Sequence, residues 1–310
     1  MNLSAIDLRL LRSLVELSRA PSFVRAAERL HISQPALSQH MADLSAAMGI
    51  PLFEKVGRRS VLTEAGRAFA NAVIQALGQL DDTLVAHSSA QNKVSGTLRI
   101  AATNTYLNAL ATPVSAQLAQ EHPGLQLNLR EMPAHEILRA LEEGTVDLGI
   151  SPRVGVRRTL QAEHLLSEPF GLIATTPVIH ALGKCSRLSQ IAGKPLVLLN
   201  KDYLMRQQID RQAKLENVPL HLRLEVSGAQ NVVAALPLAD WLAIGSALSI
   251  LYAPGLDFIP LRGKHLSRDA VIYQRSRTAP TRAMTLFKEA LLAHTSEIKK
   301  QLAPRRYGIT

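Results

Sequence analysis

A short run near the amino end has the residue types and spacing to read base edges. Ser33, Gln34, Pro35, Ala36, Ser38 and Gln39 open a helix, and the face they share, with His40, is short and neutral-polar. A glutamine amide bridges N6 and N7 of adenine, a serine hydroxyl donates or accepts, and an alanine methyl or proline ring touches the methyl of thymine. Backbone N–H groups at a helix start, reinforced by the helix dipole, suit phosphate. A helix that only met solvent would carry more charge on this face. Next, PLFEKVGRRSVL (residues 51–62) reads as a hairpin, with Gly57 in its turn and Lys55, Arg58 and Arg59 at its tip, cations placed for phosphate or a minor groove.

A second set of polar residues falls just after segments that read as strands. Thr103, Asn104 and Thr105 follow the first of these. Pro133 and His135 follow the second, Ser151 the third, Asn200 and Lys201 a fourth, and Gly245 and Ser246 a fifth. Hydroxyls and N–H groups at helix starts bind carboxylates and other small anions. Each loop taken singly is also an ordinary helix cap; several converging predict a small-molecule pocket at the carboxyl ends of the strands.

The elements that must position the first set are three short helices. Ile6, Leu10, Leu11, Leu14 and Leu17 recur at helical spacing. Ser22 caps a second helix over Phe23–Leu30, where Ala26 and Ala27 permit close helix approach. Ser33 caps the third, Pro35 sits in its first turn, and Leu37, Met41 and Leu44 form its buried stripe. Thr63 and Glu64 then start a long helix in which Phe69, Val73, Leu77, Leu80 and Leu84 keep one apolar seam, which predicts pairing with the same helix of a second copy. The polar stretch 88–96 reads as a hinge.

From Thr97 strands and helices alternate, which predicts a parallel sheet with crossover helices. Strands are expected over Leu98–Ala102, Leu125–Glu131, Val146–Ile150, Phe170–Ala174, Leu196–Leu199, Leu222–Val226, Trp241–Ile244 and Ala270–Tyr273. Helices are expected over Tyr106–Glu121, His135–Glu143 and Thr281–Leu302, and the last strand and helix return to complete the first lobe. The chain thus reads as an all-α winged helix-turn-helix over 1–62, a linker and dimerisation helix with hinge over 63–95, and an α/β two-lobed domain over 96–310. Lobe I takes 96–167 and 266–310, lobe II 168–265.

Composition limits the alternatives. The chain has 310 residues, 47% apolar and 19% charged, with net charge +10. The first 95 residues hold 10 Lys/Arg against 8 Asp/Glu, and the remainder 25 against 17. The nucleic-acid argument therefore rests on local pattern, and the basic surplus of the larger part points to an anionic small ligand or to a solvated surface. No stretch reads as a signal peptide, and the apolar run 231–256 is broken by Pro237, Asp240, Gly245 and Pro254, so a cytoplasmic protein without a membrane span is expected. The lone Cys185, flanked by Lys184 and Arg187, forms no intrachain disulfide; it reads as a surface-loop thiol, with redox sensing as a minor alternative. An enzyme is disfavoured: P-loop, GxGxxG, GxSxG, CxxC and HExxH patterns are absent from the sequence. A secreted solute-binding protein would have an export signal and no helix-turn-helix, the reverse of this chain.

Taken together, SFVRAAERLHISQPALSQHMADL, GIPLFEK and LTEAGRAF resemble the DNA-binding signature of LysR-type transcriptional regulators, and GTLRIAAT, EHPGLQLNLREM and GTVDLGIS resemble the start of their effector domain. Within the family, PLVLLNKDYLMRQQID is similar to a stretch of cyanate-operon regulators. The resemblance spans the chain. It implies a winged helix-turn-helix, a dimerising linker helix and an effector domain like periplasmic binding proteins. It further implies homodimers assembled into homotetramers that bend promoter DNA, a small-molecule effector in place of a cofactor, and RNA polymerase as a further partner. By the same resemblance Gln34, Pro35, Ser38 and Gln39 fall where the family reads bases, and Arg58 falls in the wing. Thr103, Asn104 and Thr105 fall at the first effector loop, with Asn200 and Lys201 at that of the second lobe. Many members have Arg where Gln39 stands, and many have Ser or Thr near Pro133, where His135 is the substitute.

Overall fold

A computed structural model of the chain describes residues 6–56, 59–88, 94–155, 157–276, 279–303 and 307–309; for Val56, Arg59 and residues 75, 79 and 81–88 it describes the backbone alone. Gly57 and Arg58 lie outside the described residues, as does most of the expected hinge. The chain divides into two compact units, one made by the first ninety residues and one carrying nearly all of the rest.

The first unit holds α1 (Leu8–Arg19), α2 (Phe23–Leu30), α3 (Gln34–Met48), the antiparallel pair β1 (Phe53–Val56) and β2 (Arg59–Leu62), and α4 (Glu64–Ser88). Every one of its helices starts on a side-chain cap. Asp7 accepts from the Arg9 amide, Ser22 from Arg25, Ser33 from Ala36, and Thr63 from Gly66, each satisfying an N–H that has no intrahelical partner. Leu14, Leu37 and Leu44 are fully buried at its centre, with Ala26 and Ala27 where α2 closes on them. Phe23 meets Phe53 edge-on at 5.4 Å and ties the hairpin to the helices. Gly66 is required by space: a Cβ there would lie 2.1 Å from the Leu52 carbonyl oxygen.

The apolar seam of α4 divides its work. Ala70 and Val73 are buried in the unit's own core, and Phe69 and Leu77 pack against it, whereas Leu80 is 42% exposed. The helix leaves directly from β2, so its first turns must cover the open side of the three-helix core. The expectation that the whole seam pairs with a second copy is corrected accordingly: its first half is spent within the chain.

The second unit comprises β3 (Gly96–Ala102), α5 (Asn104–Tyr106), a π-helical turn (Leu107–Ala111), α6 (Thr112–Glu121), β4 (Leu125–Glu131), α7 (Ala134–Glu142), β5 (Leu148–Pro152), β6 (Leu160–Thr175), α8 (Thr176–Leu182), β7 (Leu196–Leu199), α9 (Leu204–Leu215), β8 (Leu222–Val226), α10 (Ala229–Ala235), β9 (Leu242–Ser246), β10 (Leu256–Pro260), β11 (Ser267–Arg275) and α11 (Arg282–Leu302). Hydrogen bonding runs in the order β4-β3-β5-β11-β6-β9-β7-β8, with β10 on β6. β3 is parallel to β4 and β5, and β7 to β8 and β9, but β11 and β6 are antiparallel to their neighbours.

β6 joins the lobes. Its first part pairs β11 from Leu160↔Arg275 to Pro169↔Ser267, and its end pairs β9 and β10. A bulge at Leu165 shifts the register opposite Ala270/Val271. Gly171 lets this strand pass: a Cβ there would fall 2.3 Å from both the Ile259 carbonyl oxygen and the Phe258 ring. The helix expected over 106–121 is interrupted by the π turn, where His294 Nε2 of α11 donates to the Ala109 carbonyl at 2.9 Å. No helix among the described residues is long and apolar enough to cross a membrane.

Candidate functional site

α3 separates its two faces cleanly. Leu37 and Met41 are buried, while Gln34, Pro35, Ser38 and Gln39 are exposed together and Ala36 is half-buried. Asp43, one turn on, accepts from Gln39 Nε2 at 2.7 Å and fixes the amide plane. The hydroxyl of Ser33 is committed to the cap on the Ala36 N–H, so what it offers outward is the helix start itself. His40 does not belong to the exposed face: it is half-buried, with Nδ1 2.9 Å from Ser13 Oγ of α1, and it holds α3 against its neighbour. In the hairpin Arg59 pairs Val56 and Lys55 is exposed. The ion pairs Arg25–Glu28 and Arg29–Glu16 are exposed and contribute little.

Part of the second set of polar residues lies where strands of the two lobes end. Thr103 starts α5 from the end of β3 with cap backbone geometry, yet its hydroxyl makes no cap bond, and Oγ1 is buried without a hydrogen-bond partner. Asn104, buried beside it, spans the lobes: Nδ2 donates to Glu131 at 2.8 Å in lobe I, and Oδ1 accepts from the Ala229 amide at 3.3 Å in lobe II. Thr105 is buried next to them. In lobe II, Asn200 donates to Ser227 Oγ at 3.0 Å and accepts from the Asp202 amide, while Lys201 is exposed.

The expected loop placement of Ser151, Gly245 and Ser246 is corrected. Ser151 is not in a loop; β5 runs through Pro152, and the fully buried Ser151 hydroxyl donates to the Pro152 carbonyl. Gly245 and Ser246 are likewise within β9, paired with Gly171 and Phe170. Pro133 and His135 follow β4 as expected: His135 lies inside α7 with its side chain 80% exposed and 3.9 Å from Glu136, and Pro133 is exposed, its carbonyl accepting from the amides of Glu136 and Ile137. Each strand continues one or two residues past its apolar run because the neighbouring strand supplies partners for those backbone groups.

Between the lobes lies a buried network that the sequence reading missed. Glu168 of β6, fully enclosed, accepts from Arg268 Nε of β11 at 2.6 Å, from the Tyr106 hydroxyl of α5 at 3.0 Å and from the Ser246 hydroxyl of β9. The guanidinium stacks 4.7 Å over the Tyr106 ring and 5.6 Å from that of Phe170. One carboxylate therefore joins both lobes and both crossing strands. Burial opposes the charge on Arg268, but Glu168 beside it, with Tyr106, more than restores it and holds the group above its ordinary range. Burial pushes the Tyr106 phenol well above 10, against the pull of Arg268. No local pattern marks Glu168 or Arg268: they stand one hundred residues apart and meet only through strand register.

Cys185 is buried, not in an open loop; its Sγ faces the Arg187 carbonyl at 3.8 Å and burial raises the thiol. Sensor thiols are exposed and low in pKa, so this environment opposes redox sensing.

A helix-turn-helix with a following hairpin, a long helix, and a two-lobed α/β unit with polar strand ends define a ligand-responsive DNA-binding regulator. The chain belongs to the LysR family of transcriptional regulators: residues 8–67 match the bacterial regulatory helix-turn-helix protein, lysR family, and residues 91–296 the LysR substrate binding domain. It is a regulator, not an enzyme. It is 27% identical over 292 residues to the HTH-type transcriptional activator CmpR of Synechocystis sp., covering 91% of this chain and 93% of that protein. It is 33% identical over 214 residues to the RuBisCO operon transcriptional regulator of Allochromatium vinosum, covering 66% and 68%. Among solved structures, a full-length OxyR variant of Pseudomonas aeruginosa matches with TM-score 0.69 at 24% identity, covering 92% of this chain and 94% of that one. CbnR complexed with its target DNA matches with TM-score 0.62 at 20% identity, covering 93% and 100%. At these identities the structures speak for the fold alone.

Proposed function

We propose that the chain reads promoter DNA through Gln34, Pro35, Ala36, Ser38 and Gln39 laid in a major groove. The amide groups after Ser33 and the cations Arg58 and Arg59 of the hairpin meet phosphate or a minor groove. A small anionic effector binds between the lobes at Thr103, Asn104, Thr105, Asn200 and Lys201. It prefers one arrangement of a homotetramer over another, and so shifts the promoter between two degrees of bend, with RNA polymerase responding to the difference. The protein works in the cytoplasm and needs no cofactor. The observation that carries this reading is the buried Thr103 hydroxyl without a partner, next to an asparagine that bonds to both lobes. A buried hydroxyl left unsatisfied at the junction of two lobes is a place for a ligand atom.

Fluorescence anisotropy of labelled promoter fragments from around the gene tests the DNA half. Gln39→Ala is expected to weaken specific binding roughly 5- to 150-fold, the worth of about 1–3 kcal/mol for one bidentate base contact, and to leave binding to random duplex unchanged. Equal losses on specific and random DNA would remove Gln39 from base reading. Thr103→Val is expected to blunt the effect of ligand on that binding without abolishing it.

A further inference from the structure

We infer that Arg268 is the anion-recognising residue of the cleft, and that its free Nη2 takes a carboxylate oxygen of the effector. This deepens the reading above, on which it rests, by naming the residue and the chemical class. Among the described residues three side chains have buried polar atoms without a hydrogen-bond partner: Thr103 Oγ1, Arg268 Nη2 and Ser115 Oγ. Two of them are linked through α5. Thr103 begins α5, Tyr106 lies one helical turn further on, and the Arg268 guanidinium rests on the Tyr106 ring.

A buried guanidinium N–H without an acceptor is costly, more so than a neutral donor, because the charge sharpens the loss of water. The side chain is 9% exposed, and its Nε is already bound to Glu168, so the head cannot swing out to solvent without breaking a buried ion pair. Glu168 is itself saturated by Tyr106, Ser246 and Arg268 Nε and has little left to offer Nη2. What fits is an acceptor brought from outside. A carboxylate suits best: it accepts from a guanidinium in a charge-assisted bond, and the Thr103 hydroxyl at the start of α5 is a second donor without a partner. The basic surplus of the effector half favours entry of such a ligand.

The test uses the full chain with acetate, glycolate and succinate, each against its amide (acetamide, glycolamide, succinamide), by isothermal titration calorimetry and thermal melting at constant ionic strength. At least one carboxylate is expected to bind and to raise the melting midpoint, at least tenfold tighter than its amide. Arg268→Lys and Thr103→Val are each expected to lose that binding at least tenfold. Should Arg268→Lys fail to fold, the acid-to-amide ratio in the native chain and its loss in Thr103→Val decide. Equal binding of acids and amides, lost in Thr103→Val, overturns the assignment to Arg268 and leaves the cleft reading standing. Carboxylate binding untouched by both substitutions places the anion elsewhere and overturns both. No binding by any of the six compounds overturns the proposed small-carboxylate class, a water then being the partner of Nη2.

Discussion

Glu168→Gln is the most informative single perturbation of this protein. The glutamine keeps the shape and one carbonyl acceptor, so the Tyr106 bond can persist, and Ser246 can turn its hydroxyl to accept from the new amide. What is lost is the charge opposite Arg268, whose Nε lies 2.6 Å from the carboxylate with the pair 9% and 0% exposed. An uncompensated buried charge costs about 3–5 kcal/mol. In a domain of this size each kcal/mol lowers the melting midpoint by about 2–4 °C, so a fall of about 6–20 °C in the effector-domain transition is expected. Trp241, the only tryptophan, lies in that unit beside β9 and reports its urea unfolding by fluorescence. The double variant Glu168→Gln with Arg268→Met removes both charges and fills the space of the arginine stem; it is expected to be more stable than the glutamine single by about 1 kcal/mol or more. A single-variant loss under about 1 kcal/mol at unchanged urea dependence, or strict additivity in the double, would refute the claim that this pair is desolvated and mutually dependent.

The remaining predictions concern titration, thiol access and packing. Because burial raises the Tyr106 phenol in the folded state, the unfolded chain releases that proton first as pH climbs past about 10. Its contribution is complete below pH 10 and is lost as pH rises towards the raised folded value, at up to about 1.4 kcal/mol per pH unit. Tyr106→Phe is expected to reduce that alkaline slope in urea melts, and an unchanged slope from pH 10 to 11 would show that the phenol titrates normally. Cys185 is expected to react slowly with Ellman's reagent in the folded protein and rapidly in urea, and Cys185→Ser to leave DNA binding unchanged with or without peroxide; a peroxide response lost in the serine variant contradicts this. Gly66→Ala drives a methyl to 2.1 Å from the Leu52 carbonyl and is expected to destabilise the first unit by about 1–3 kcal/mol, measured by circular dichroism melting.

The sequence by itself determined what is local. Ser22, Ser33 and Thr63 announce their helices because a cap is a contact within three residues, and the helical period of Leu37, Met41 and Leu44 says which face is buried, and so which face is left open. The alternation of strands and helices is legible for the same reason. Where strands stop is not, because β5 and β9 run on through Ser151 and Ser246 only when β11 and β6 are alongside to pair with them. The apolar seam of α4 shows that something must cover it, but not that the first half is covered from within the chain. Tertiary structure alone decided the centre of the second unit. Glu168 and Arg268 carry no signature in their own neighbourhoods; strand register brings them together across one hundred residues. Only inside a dry core does it become consequential that one carboxylate is fully engaged while one guanidinium nitrogen is left wanting an acceptor.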